Sequence, residues 1–232
     1  MKFADRAAAG HQLGARLGRF KNNSPVVLAL PHGGVAVGFE IARALAAPLD
    51  IVLVRKIGVP WRPELALGAV TDGASPETFI NEDLAKALDI PESFVREETR
   101  RQLEEIERRR KRYCAGRPLI AIIGRTAIVV DDGIATGATM RLALRAVRRC
   151  NPAYLVLAVP VAPPETLVQF RNEADEAICL ETPPMLGAIG FYYRDFHQMS
   201  DAEVTDLLAM DADPTVRGEA APPPGLSAAD EI

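Results

Sequence analysis

Apolar residues recur along this chain in short β-branched runs separated by segments of helical period. "VVLAL" (26–30), "IVLV" (51–54), "TAIVV" (126–130), "YLVLAVP" (154–160) and "EAICL" (176–180) are too short for helices and predict five buried strands. Between them, "VAVGFEIARALAA" (35–47) and "TGATMRLALRAVRRC" (136–150) predict helices, the second with Met140, Leu144 and Val147 facing inward. A further helix is expected over 164–173. The opening "MKFADRAAAGHQLGARLGRF" reads as an amphipathic helix with Leu13, Leu17 and Phe20 on one side. Strands joined by helices imply parallel pairing through crossovers. The expected fold is therefore α/β, a doubly wound, mainly parallel sheet of about five strands.

One interval breaks the alternation. Residues 56–125 hold a loop, a hairpin signal ("LALGAV", then "ETFIN") and a long charged helix, "PESFVREETRRQLEEIERRRKRYC". Pro91 suits a helix start, and Glu97/Arg101, Glu104/Arg108, Glu105/Arg109 and Glu107/Lys111 stand four apart. The run reads first as a solvated helix face. A phosphate- or RNA-binding helix is the sharper alternative, and the interleaved glutamates count against it. "SDAEVTDLLA" opens with a capping box, Ser200 and Glu203, and predicts a last short helix. From Asp211 the chain is rich in Pro, Ala and Gly and is expected to be disordered. The organisation is thus one domain over 1–210 and a tail over 211–232.

Composition narrows the function classes. At 232 residues, with 48% hydrophobic and 25% charged residues, the chain can bury one sizeable core. The net charge of −4 supplies no global basic field, so nucleic acid is not an expected partner. Cys114, Cys150 and Cys179 are isolated from one another, and the three histidines lack ligand spacing, which argues against a disulfide framework and a dedicated zinc site. No apolar run is long enough to span a membrane, and no signal-peptide pattern opens the chain. A cytoplasmic protein is expected.

The chemistry concentrates at two strand ends. After the first strand comes "PHGGVAVG" (31–38), and after the third "DDGIATGATM" (131–140). Both glycine turns feed a helix, whose unpaired amides and dipole favour an anion. Neither is a Walker A motif or a G-x-G-x-x-G fingerprint. The second turn is the more specific, because two carboxylates precede it. Asp131 and Asp132 suit the diol of a ribose and can attract a divalent cation, directly or through water. Ala135 to Thr139 suit a phosphate on the same sugar. The plain alternative is a strand-end turn with two solvated aspartates. With the first loop taking another phosphoryl group, one ligand fits: a ribose with a 5-phosphate and a pyrophosphate on carbon 1.

"VVDDGIATGATM" resembles the phosphoribosyl pyrophosphate (PRPP) signature of the type I phosphoribosyltransferases. "LPHGGVAVG" sits where that family has its pyrophosphate loop. "LVRKIGVP" (53–60) is similar to the stretch that opens the mobile catalytic loop of adenine-type members. The resemblance covers roughly 20–190 and implies a magnesium-dependent transfer of ribose 5-phosphate from PRPP to a nitrogen nucleophile, a nucleobase or related heterocycle. It implies ribose binding by Asp131 and Asp132, with magnesium in contact with them directly or through water. It implies 5-phosphate binding by Ala135, Thr136, Gly137, Ala138 and Thr139, and pyrophosphate binding by His32, Gly33 and Gly34. A peptide that is often cis in the family falls near Pro31–Gly33. Arg55 and Lys56 match cations beside the departing pyrophosphate; as an alternative they cap a strand end. A homodimer is implied by the family alone.

Two departures matter. Hypoxanthine–guanine members carry an acid where this chain has Ala135, whereas adenine- and orotate-type members share the alanine. His32 stands where some relatives have Arg or Lys. Residues 57–125 exceed the usual mobile loop and are expected to form a lid or a dimer surface. The acceptor hood would come from the N-terminal segment and 182–200, within a hood-and-last-helix region over 182–210, and there Phe191, Tyr192, Tyr193 and Phe196 either stack on a base or pin the last helix. His197 is expected to be structural. A PRPP- or nucleotide-sensing module without turnover and a phosphate-ester hydrolase are the rival readings.

Overall fold

The computed structural model describes residues 2–72 and 77–212. The expected disordered tail lies outside the described residues from 213 onward. Along the chain run α1 (Arg6–Leu17), β1 (Pro25–Ala29), α2 (Gly33–Leu45), β2 (Leu49–Ile51) and β3 (Val54–Val59). Then follow β4 (Arg62–Thr71), β5 (Glu77–Ile80), α3 (Glu82–Ala87), α4 (Glu92–Cys114) and β6 (Thr126–Val130). The rest is α5 (Ala138–Arg149), β7 (Tyr154–Val161), α6 (Pro164–Val168), β8 (Glu176–Glu181) and α7 (Asp201–Ala212). Among the described residues no helix is long and apolar enough to cross a membrane.

The central sheet has the order β2-β1-β6-β7-β8, and every neighbouring pair is parallel. Strands β1 and β6 are buried on both faces, as the apolar runs required. Val27, Ala29, Ile128 and Val130 pack with Leu13, Ile41 and Leu45 from α1 and α2. Val26, Leu28, Ala127 and Val129 pack on the other face with Met140, Leu144 and Val147 from α5. Burying each large side chain of this kind contributes about 1.5–3 kcal/mol. Helix α1 lies directly on α2, because a Cβ at Gly10 would stand 2.6 Å from the Val37 carbonyl oxygen. That close approach carries the start of α1 to the carboxyl end of the sheet.

The insertion differs from the expectation of a loop and a hairpin. It is a three-stranded antiparallel sheet, β3-β4-β5, registered by Lys56 opposite Ala69 and Ala69 opposite Phe79. The expected strand 51–54 divides. β2 stops at Ile51, and Arg55 and Lys56 lie within β3 rather than in a loop. The reason is an alternation in "VRKIGV", where Ile57 and Val59 are fully buried and Lys56 is exposed. The helix expected over 164–173 is little more than a single turn, ending at Val168, with Phe170 buried just beyond it. Helix α7 passes the expected boundary at 210, and the buried Asp211 carboxylate accepts from the Leu49 amide at 3.0 Å.

Helix α4 is solvated only in part. Its outer residues form pairs of the expected kind, such as Arg100–Glu104 and Lys111–Glu107. Its last turns face inward, with Ile106, Tyr113 and Cys114 buried. Arg110 reaches Asp50 of β2 at 2.8 Å and Asp72 after β4 at 2.7 Å, and both carboxylates are almost wholly buried. Burial pushes Asp72 up to about 6, against the pull of Arg110 and the Leu53 amide. Removing the cation leaves two buried anions without their charge partner. Arg110→Met should therefore lower unfolding free energy by about 3–5 kcal/mol in a denaturant titration. Arg100→Ala, at a fully exposed pair, should leave the unfolding midpoint essentially unchanged in the same titration.

Candidate active site

β1 feeds β2 on one side and β6 feeds β7 on the other. The winding reverses between β1 and β6, and open α/β sheets bind ligands in that crevice. Both predicted glycine loops emerge there, joined by the Leu30 amide donating to the Val130 carbonyl at 2.9 Å.

The first loop packs against the acid pair. A Cβ on Gly33 would fall 1.8 Å from Asp132 Oδ2, and one on Gly34 would fall 2.7 Å from the Val130 carbonyl oxygen. Only glycine fits such a contact. The peptide Pro31–His32 is cis, within the segment where the family resemblance implied one. The amides of His32 and Gly33 form no backbone hydrogen bond among the described residues. The His32 ring is held from outside. Its Nε2 lies 2.9 Å from Asp201 Oδ1 and 3.2 Å from the Tyr113 hydroxyl. Tyr113 donates to the same carboxylate, and Arg112 pairs with its other oxygen.

The second loop runs from Asp131 to the N-terminus of α5. Gly137 takes φ +79° and so turns the chain into the helix. The amides of Ala135, Thr136, Gly137, Ala138 and Thr139 form no backbone hydrogen bond among the described residues. Five donors at one helix end are available to an anion. Thr166 Oγ1 donates to the Ala135 carbonyl at 3.0 Å and fixes the turn from behind.

The two carboxylates are not equivalent. Asp131 Oδ1 accepts the Asp132 amide at 2.8 Å, and Asp131 forms no ion pair among the described residues. Asp132 Oδ2 accepts Arg6 Nε at 2.8 Å, with the two side chains 13% and 9% exposed. Burial, then the neighbouring Asp132 charge, pushes Asp131 well above the ordinary carboxylate range. Burial also raises Asp132, against the hydrogen bond from Arg6. The Tyr193 hydroxyl donates to the Asp132 carbonyl at 2.6 Å, and burial raises its own pKa. Among the described residues no group of three or more His, Cys, Asp or Glu is gathered to hold a metal ion. A metal here would have to arrive with oxygens supplied by the ligand, and the acid pair alone could meet it.

Arg55 and Lys56 make no hydrogen bond or ion pair with either aspartate. Arg55 Nε donates to Gln102 of α4 at 2.9 Å, and Lys56 pairs with Glu64 at 3.3 Å. Their places on opposite faces of β3 explain the divergence. Of the hood aromatics, Tyr193 is buried between Phe3 and Phe196, at 5.4 and 5.0 Å. It pins the N-terminal segment rather than the last helix. Phe191 is 72% exposed. His197 bonds Glu203 at 2.9 Å, beside the predicted capping box, where Glu203 accepts from the Ser200 amide at 2.7 Å. A cavity of about 840 Å³ runs along α4, past Leu103 and Ile106, and includes neither glycine loop.

Arg6, Tyr113 and Asp201 are the site residues that sequence reasoning missed. One signal for Arg6 exists. It is a cation at the first position of α1, where the helix dipole disfavours positive charge. Such a local conflict points to a partner elsewhere.

Residues 78–193 match the family described as phosphoribosyl transferase domain. The chain is 44% identical, over 206 residues, to Mycobacterium tuberculosis proteins named "Putative phosphoribosyl transferase" MT0597 and Rv0571c. That match takes in 89% of this chain and 46% of theirs, so the chain spans about half the length of these curated relatives. It is 41% identical to TT1426 from Thermus thermophilus, whose crystal structure superposes with TM-score 0.80 over 92% of this chain and 100% of that one.

An acid with a raised folded pKa leaves the folded state short of stability once pH passes the unfolded value, near 3.8 for Asp131. Asp131→Asn removes that charge and keeps an acceptor for the Asp132 amide. The variant should melt at least ~2 °C above the wild type at pH 8, where 1 kcal/mol shifts Tm by about 2–4 °C. The gap should close as pH falls toward 4, as followed by scanning calorimetry.

Proposed function

The chain belongs to the phosphoribosyl transferase family, and from that premise we propose that it moves ribose 5-phosphate from PRPP to a nitrogen nucleophile. The acceptor is a nucleobase or related heterocycle, and pyrophosphate is released. The observation that carries this reading is the paired acid at the end of the central strand, with Gly33 of the first loop packed against Asp132.

In this reading Asp131 and Asp132 accept the ribose hydroxyls. The amides of Ala135 to Thr139 and the hydroxyls of Thr136 and Thr139 hold the 5-phosphate. His32, Gly33 and Gly34 face the pyrophosphate. The nucleophile's nitrogen attacks carbon 1 as the bond to the pyrophosphate oxygen breaks. Charge leaves with the pyrophosphate, while the sugar gains oxocarbenium character. Fixed amides at the first loop stabilise the departing anion, and one such donor is typically worth about 3 kcal/mol. Magnesium, which the family implies, would be met by Asp131 and Asp132, directly or through water, and would supply positive charge to the leaving group.

Segments 182–197 and 2–6 are read as a hood over the sugar, and α4 with its cavity as a surface for a second copy in a homodimer. Arg55 and Lys56 would reach the pyrophosphate only if β3 moved as part of a closing lid. Their engagement with Gln102 and Glu64 favours, as a second reading, PRPP binding without turnover.

A pyrophosphate-release assay with PRPP and magnesium across purines, pyrimidines and pyridine carboxylates separates the two. The expected result is release with at least one acceptor, loss of release with a chelator, and a fall on the order of 10²-fold in Asp132→Asn. PRPP binding without release for any acceptor supports the sensing reading. A wild-type protein that binds no PRPP in calorimetry overturns both.

A further inference from the structure

The first loop lies where the proposed reading puts a polyanion, yet the cations expected there are committed elsewhere. Arg55 is on Gln102, Lys56 is on Glu64, and His32 is on Asp201 and Tyr113. One other cation is present at the loop. Arg6 is 8% exposed, and its Nε would lie 2.9 Å from a Cβ on Gly33. The guanidinium is thus wedged between the diol acid Asp132 and the glycine whose amide is unbonded.

Its donors divide unequally. Nε goes to Asp132 at 2.8 Å, and Nη1 goes to the His197 carbonyl at 2.8 Å. Among the described residues Nη2 has no hydrogen-bond partner, and it is not among the buried polar atoms without one. A nine-tenths buried guanidinium with one unused edge that solvent can still reach is unusual, because desolvating such a charge is favourable only when its donors are used. Phe196 lies under it, 3.9 Å from Cζ to the ring centroid, and keeps the plane fixed. The hood segment is fixed in turn. Lys2 and Phe3 amides donate to the Tyr192 carbonyl, and the Arg194 amide donates to that of Phe3.

Resting on the PRPP reading, we propose that Arg6 is the residue that binds the pyrophosphate end of the substrate, through the guanidinium edge that Asp132 and His197 leave open. A planar fork matches phosphoryl oxygens, and its Nε bond to Asp132 would set the diol acid and the leaving group in register. Arg6 would then supply a permanent positive charge beside the first loop, where His32 is engaged with Asp201 and Tyr113, and it would do so without movement of β3.

The alternative is that Arg6 only fastens the hood. Titration calorimetry of the full chain with two probes separates the roles: inorganic pyrophosphate with magnesium, and ribose 5-phosphate. Arg6→Gln should weaken pyrophosphate at least tenfold and leave ribose 5-phosphate within about twofold. Equal losses for both probes in Arg6→Gln, or no loss for either, would overturn the assignment. If Arg6→Gln does not fold, the wild type decides. The Arg6 Nε resonance, identified by its loss in Arg6→Lys, should shift with pyrophosphate and not with ribose 5-phosphate; an unmoved signal overturns the proposal. A wild type that binds pyrophosphate but not PRPP leaves Arg6 assigned and sinks the transferase reading instead.

Discussion

The ion pair between Arg6 and Asp132 is the contact around which the rest of this structure is arranged. Two adjacent carboxylates at the end of a buried central strand repel each other and resist desolvation. One guanidinium offsets part of that cost at Asp132, and both acids still stand above the ordinary carboxylate range. The pair can exist only if a helix delivers an arginine to the carboxyl edge of the sheet. That delivery depends on α1 lying against α2 with a glycine at the contact. It also depends on the segment after β8 closing over the same arginine through His197 and Phe196. The N-terminal segment and residues 193–197 thus converge on one carboxylate.

The packing of Gly33 onto Asp132 has a second consequence. The anion loop and the acid pair cannot move independently, because no atom's width separates them. A ligand that touches both loops meets a single rigid edge instead of two adaptable segments. Such pre-organisation reduces the ordering that binding must impose. The unliganded protein bears the corresponding penalty in Asp131, whose charge no ion pair offsets.

Much of this was legible in the chain. Five buried strands and their parallel pairing followed from short apolar runs joined by helical segments, although the run at 51–54 divides between β2 and β3. The acid pair followed by a glycine turn was read as a ligand edge, and the two glycine loops do meet there, at the carboxyl end of the sheet between β1 and β6. What escaped was long-range in sequence. Arg6 and Asp132 are 126 residues apart, and His32 and Asp201 are 169 apart. Local pattern carries no information on such pairs beyond the misfit of a cation at a helix start. The insertion escaped for a different reason. "VRKIGV" alternates as a strand, but the match to a known mobile loop made Arg55 and Lys56 read as loop cations. Periodicity was the better guide there.

The charged helix ties these levels together. Its sequence reads as a solvated face, and only a sparse apolar stripe, Phe94, Val95, Leu103 and Ile106, packs on the core along its length. The last turns solve this with residues three and four apart. Arg110 fastens to the sheet edge at Asp50 and Asp72, while Tyr113 and Cys114 enter the core. Arg112 and Tyr113 then converge on Asp201, which holds His32. One helix end therefore grips both the edge strand and the first anion loop. Displacing α4 would disturb a buried cation, a core tyrosine and the loop histidine together. For that reason the insertion is coupled to the first glycine loop even though none of its described residues bonds to the acid pair.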